Sequence, residues 1–249
     1  MTKTDLVLDG VTEGYRGENV SYSIPLSVYP TTTGTIIVNA PGAGESKDGR
    51  RGRYGVIAEH LQATRVASVI TYSPPRPDGQ SGYPLDPYAY KGASWNRIAV
   101  ESMEHVIDYA MGAAREICGS ETPVLHLSGF SAGGSVCGAV ASRYGAVRKI
   151  LLLSAYDSVG EYFYAGIRSY TGEIYMAYGS QDPMAGFLAL MMPHIAPDAA
   201  AVQVQQIGDC DHGFTGPTNA RILSKAYTWA FAGDTSFPSP EGGLELEGE

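Results

Sequence analysis

The chain has 249 residues, 44% of them apolar and 17% charged, a size that builds one large domain or two small ones around a sizeable core. Its formal net charge of −9 excludes nucleic acid as a natural partner, because neutralising phosphates needs a basic surface. No run approaches the roughly 18 apolar residues of a membrane span, and the opening MTKTDLVLDGVTEG has no basic stretch followed by an apolar one, so neither a membrane partner nor an export signal is expected and the location reads as cytoplasmic.

Two β-rich stretches come first, Asp5 to Leu8 and Val20 to Tyr29. The second alternates as VSYSIPLSVY, which predicts an antiparallel start. After Pro30 the pattern changes to apolar runs separated by helical ones. Strands are predicted at 35–40 (TIIVNA), 66–72 (VASVITY), 123–128 (PVLHLS), 149–154 (KILLLS), 173–178 (EIYMAY) and 201–207 (AVQVQQI). Helices are predicted near 53–64, 97–117, 132–145, 183–192 and 217–231. The second of these sets Ala99, Met103, Val106, Ala110, Ala114 and Ile117 at three- and four-residue steps, an apolar stripe of helical period. Alternating strands and helices predict an α/β fold with a mostly parallel sheet covered on both faces.

Two connections break the rhythm, 73–96 and 155–172. Both are rich in Tyr, and both follow the C-terminal end of a predicted strand, the edge of an open α/β sheet where ligands bind. No linker divides the chain before residue 233, so 1–232 reads as one domain. The remainder, 233–249, carries five acids and no Lys or Arg and is expected to be disordered. Lys47, Arg50, Arg51 and Arg53 form a local basic concentration that reads as a solvated loop or as a rim attracting anionic substrates. Three Cys, at 118, 137 and 210, are too few and too scattered for a disulfide framework or a metal site, and no metal is expected.

The candidate chemistry centres on LHLSGFSAGGSVCG, residues 125–138. A G-x-S-x-G pentapeptide is weak evidence by itself. Here it stands between a predicted buried strand and a small-residue helix, the setting in which a sharp turn exposes the central Ser131. A Ser hydroxyl needs an adjacent base, normally a His oriented by a carboxylate. His60 and His105 fall within predicted helices, His126 within a strand and His194 after a helix. His212, in GDCDHGF after the last strand, falls at the same sheet edge as Ser131. Asp182, in YGSQDPM, follows the preceding strand and could serve as the acid, as a helix N-cap, or as both. Asp157, Asp209 and Asp211 are rivals for the acid.

The elbow GFSAG, the order Ser, Asp, His, and the strand and helix alternation over roughly residues 5–232 resemble the α/β-hydrolase superfamily. That resemblance implies an oxyanion hole of two backbone N–H groups. One maps to Ala132. The other maps to Ala43, with Gly44 second, in PGAG after the strand at 35–40, where Pro41 stands in place of a more usual His. It also implies a serine hydrolase acting through an acyl-enzyme without a cofactor. The Tyr-rich connections suit a small, soluble, amphipathic ester, with Tyr83, Trp95, Tyr156 and Phe214 as pocket candidates; the second connection is too short for a large separate lid. Thioesterase and peptidase or amidase chemistry would use the same three residues, and a non-catalytic ligand-binding protein on this fold is the remaining alternative.

Overall fold

In the computed structural model, which describes residues 2–75 and 92–246, eight strands form one sheet in the order β1-β2-β4-β3-β5-β6-β7-β8. β1 (Thr4–Glu13) and β2 (Asn19–Tyr29) are antiparallel, and β2 also pairs antiparallel with β4 (Ser68–Tyr72). From β4 onward every neighbour is parallel: β3 (Thr35–Ala40), β5 (Val124–Phe130), β6 (Val147–Leu153), β7 (Glu173–Gly179) and β8 (Ala201–Ile207). The alternation in β2 is realised as a strand with one buried and one exposed face over its first half. The continuous apolar runs of β3 to β6 are buried on both faces, as parallel strands between helices must be.

One face of the sheet is covered by α2 (Trp95–Gly112), α3 (Ala114–Cys118), α4 (Ala132–Val140), α5 (Glu161–Arg168) and α6 (Pro183–Ile195). The other is covered by α1 (Arg53–Ala63) and α7 (Pro217–Ala232). The stripe predicted on α2 is the buried one, with Ala99, Met103, Val106 and Ala110 all inaccessible. α5 lies where an irregular connection was expected. Its Phe163 and Ile167 are fully buried, and the helix crosses α4 so closely that a Cβ on Gly138 would stand 2.4 Å from the Phe163 ring. Gly138 therefore serves the contact between these two helices.

The acidic C-terminal segment, expected to be disordered, is packed along α7 as far as Leu246. Phe237 and Leu246 are buried, and the Phe237 ring stacks on Trp229 at 4.6 Å. Its acids meet cations on α7: Asp234 lies 3.4 Å from the Lys225 ammonium and Glu245 lies 2.5 Å from the Arg221 guanidinium. Phe237, Leu246 and the partly buried Leu244 suffice to anchor a polar segment when a helix offers a matching stripe and counter-charges. No helix among the described residues is long and apolar enough to cross a membrane.

Candidate active site

The chain order reverses at β3. β4 lies on one side of it and β5 on the other, so the loops leaving β3 and β5 diverge and leave a crevice at the C-terminal edge, the topological switch point where α/β sheets bind ligands. Asn39 fixes this junction, its Oδ1 accepting from Ser128 on β5 at 2.8 Å and from Tyr227 on α7 at 2.7 Å.

Ser131 sits at that edge between β5 and α4 with φ 54° and ψ −121°, a backbone conformation that costs an L-residue of order 1–3 kcal/mol and persists only where surroundings enforce it. They do so here by contact. A Cβ on Gly129 would stand 2.4 Å from Gly133, and one on Gly133 would stand 2.4 Å from the carbonyls of Ala40 and Pro41. Only glycine fits either side of the turn. The Ser131 amide donates to Leu153 O at 2.7 Å, tying the elbow to β6.

Sequence-distant loops bring the other two groups to Ser131. His212 follows β8, and its Nε2 is 2.9 Å from Ser131 Oγ. Its Nδ1 is 2.6 Å from Asp182 Oδ2. Asp182 is 4% exposed and also caps α6, its Oδ1 accepting from the Ala185 amide at 3.2 Å, so contact with His212 and capping of α6 coexist in one carboxylate. Two of the three rival carboxylates are engaged elsewhere: Asp157 accepts from Tyr164 at 2.7 Å, and Asp211 accepts from the Thr215 amide at 2.8 Å. The other histidines lie away from the crevice, His126 being buried in β5 and stacked on Phe231.

Ala132 opens α4, where backbone N–H groups lack intrahelical acceptors and the helix end is positive. Ala43 is exposed in the loop after β3, next to Gly44 at φ 79°. Two residues that sequence reasoning did not single out for this loop organise it. The Glu45 carboxylate accepts from the Gly42 amide at 3.0 Å and the Tyr54 hydroxyl at 2.7 Å, and pairs with Arg53 at 2.9 Å. Arg53, only 3% exposed, also donates to Gly213 O at 3.3 Å and lies over the Phe130 ring, which in turn packs against His212. One buried ion pair thus joins the loop after β3 to the loop bearing His212. Lys47 is likewise paired, with Asp5 and Asp48. Of the basic concentration, Arg50 and Arg51 alone are exposed.

The pocket candidates divide. Tyr156, after β6, is half-buried, with its phenol near the Ser131 side chain; burial, with the nearby Asp157 charge, holds that phenol above the ordinary value. It lines a cavity of about 340 Å³ with Asp157, Tyr164, Pro183, Met184, Phe187 and Leu188. Trp95, the first residue of α2, is in the core and Phe214 is fully buried against α1 and α7, so both are packing residues. Phe214 is turned inward by a backbone with φ 56°. Tyr83 lies outside the described residues. Among those residues no group of three or more His, Cys, Asp or Glu is placed to hold a metal ion.

The sequence matches no protein-family model and no curated protein. Among solved structures it is similar to a monoacylglycerol lipase from Paleococcus ferrophilus (TM-score 0.62, 12% identity, 83% of this chain and 97% of that one). It is also similar to the esterase domain of a Rhodothermus marinus protein (0.55, 14%, 91% and 98%) and to a dienelactone hydrolase from Anabaena variabilis (0.53, 14%, 90% and 99%). Sheet order, antiparallel first strands and these likenesses agree: the chain has the α/β-hydrolase fold.

Proposed function

We propose that this protein is a serine hydrolase that cleaves a carboxylic ester of a small, amphipathic substrate. The observation that carries the reading is the chain of contacts Ser131 Oγ to His212 Nε2 to Asp182 Oδ2, at 2.9 and 2.6 Å, in a crevice at the sheet's switch point. In this reading Asp182 accepts a hydrogen bond from Nδ1–H, which fixes the tautomer that leaves Nε2 as the acceptor for the Ser131 hydroxyl. Ser131 Oγ attacks the ester carbonyl as its proton passes to His212. The oxyanion is held by the amides of Ala132 and Ala43. His212 then returns the proton to the departing alcohol, and water repeats the sequence on the acyl-enzyme to release the acid and restore Ser131.

Geometry at the elbow supports the same reading. A strained, glycine-flanked Ser at a helix N-terminus is what exposing a nucleophile beneath a developing negative charge requires. The test is turnover of p-nitrophenyl esters. Ser131→Ala and His212→Ala are expected to lose about 10⁴-fold or more in kcat, and Asp182→Asn about 10³–10⁴-fold, because the wrong imidazole tautomer is then favoured. Unchanged turnover in Ser131→Ala would overturn the assignment.

A further inference from the structure

We propose that the cavity behind Tyr156 receives the acyl chain of the substrate, that it selects an uncharged apolar chain of medium length, and that Asp157 excludes chains ending in a carboxylate. This specificity rests on the ester-hydrolase reading above and adds to it a named pocket and a named discriminator.

The cavity adjoins the reacting atoms through Tyr156, which stands beside Ser131, and through α6, which starts at the residue after Asp182. Neither Ser131 nor His212 is among its walls, so it receives a part of the substrate remote from the scissile bond. The leaving alcohol must lie against His212 Nε2 to receive its proton, and a cavity reached past Tyr156 suits the acyl chain. Its walls are mostly carbon: the faces of Tyr156 and Tyr164, with Met184, Phe187 and Leu188 from one side of α6. At about 340 Å³ it lies at the small end of the roughly 300–1,000 Å³ typical of ligand pockets, yet holds far more than an acetyl group. Met184 and Phe187 are 55% and 65% exposed, so the mouth of the cavity presents apolar surface that a ligand could cover.

The charge of the cavity is one-sided. Asp157 is exposed at its wall and accepts from Tyr164 at 2.7 Å. The Tyr164 phenol is pushed up by that hydrogen bond, by burial, and by the charges of Asp157 and Glu161; among the described residues no cation opposes them. Of the basic concentration, Arg53 is paired with Glu45 and Lys47 with Asp5 and Asp48, and none of Lys47, Arg50, Arg51 and Arg53 lines the cavity. A carboxylate at the end of an acyl chain would meet like charge in a site that is also poor at solvating it.

The experiment compares p-nitrophenyl hexanoate with the p-nitrophenyl monoester of adipic acid, the same six-carbon acyl chain ended by a carboxylate. Wild type is expected to favour hexanoate by about 100-fold in kcat/KM, and Asp157→Asn to reduce that ratio about tenfold. Met184→Trp, which fills the cavity from its exposed mouth without disturbing the core, is expected to lower the hexanoate-to-acetate ratio about tenfold. An unchanged ratio in either variant overturns the proposal. Binding of methyl hexanoate and monomethyl adipate to the Ser131→Ala protein, followed by calorimetry, separates it from the catalytic reading. Preferential hexanoate binding without wild-type turnover would sink catalysis alone, and turnover without preference would sink the cavity alone. Neither binding nor turnover would overturn both.

Discussion

Two stretches flank Ser131 at the C-terminal edge of the sheet, and their chemistry inverts their composition. On the β3 side, residues 41–53 hold the densest positive charge in the sequence, yet Arg53 and Glu45 form a buried pair and Lys47 is spent on Asp5 and Asp48. On the β6 side, residues 156–164 and the start of α6 are aromatic and apolar, yet Met184 and Phe187 are exposed around a cavity. The charged flank is internal scaffolding; the apolar flank is open. Net composition predicts neither, because burial depends on which groups the fold brings opposite one another.

Breaking the charged flank is expected to have the largest effect. Glu45→Ala removes the acceptor of the Gly42 amide and leaves Arg53 buried without its carboxylate, so stability should fall by about 3–5 kcal/mol in denaturant titration and ester kcat by about 100-fold. Glu45→Gln keeps one acceptor oxygen for the Gly42 amide and should recover part of kcat; no recovery would confine the pair to a structural role. Arg53→Met is expected to cost less, about 2 kcal/mol, since Glu45 retains its bonds to Gly42 and Tyr54. It should still slow turnover about tenfold by releasing the Gly213 carbonyl beside His212.

A site away from both flanks calibrates these losses. Burial, with the nearby Lys149 charge, holds the His126 imidazole down at about 4 in the folded protein, whereas the unfolded chain takes up that proton near 6.5. The unfolded state therefore binds more protons between these values, and stability present above pH 6.5 is lost as pH falls toward 4. By pH 5 the loss should be roughly 2 kcal/mol, and His126→Gln should flatten that part of the profile. The smallest effect is expected on the open flank, where Phe187→Ser should change stability by less than about 0.5 kcal/mol. It should nevertheless lower kcat/KM for hexanoate relative to acetate. A large stability loss there would mean that the apolar flank is core after all.

Much of the site was legible because the features that build it are local. The elbow needs small residues on both sides of Ser131 and a strand before it, all within one short stretch of sequence. Asp182 and His212 follow consecutive strand ends, and a parallel sheet puts all such ends on one edge. The Glu45–Arg53 link has no such signature. Two oppositely charged residues eight apart in an irregular loop carry no periodicity, and only the packing of α1 against the His212 loop reveals their purpose. Phe214 and Trp95 misled for the opposite reason: an aromatic beside a catalytic-looking His, or in a Tyr-rich connection, reads as pocket lining, but the turn at Phe214 points its ring into the core and Trp95 is a core residue of the first turn of α2. α5 was hidden by Tyr and Gly, which are weak helix formers; its helix is held by Phe163 and Ile167 packing on α4. The C-terminal segment was judged on average polarity, whereas Phe237 and Leu246 anchor it individually.

The central claim is that Ser131 is a nucleophile activated by His212. Treating the folded protein with a fluorophosphonate probe and mapping the adduct by peptide mass spectrometry tests it most directly. The account predicts stoichiometric modification on the peptide containing Ser131, absent in Ser131→Ala and slowed at least about 10³-fold in His212→Ala. A folded wild-type protein that stays unlabelled, or carries the adduct on another residue, would contradict it.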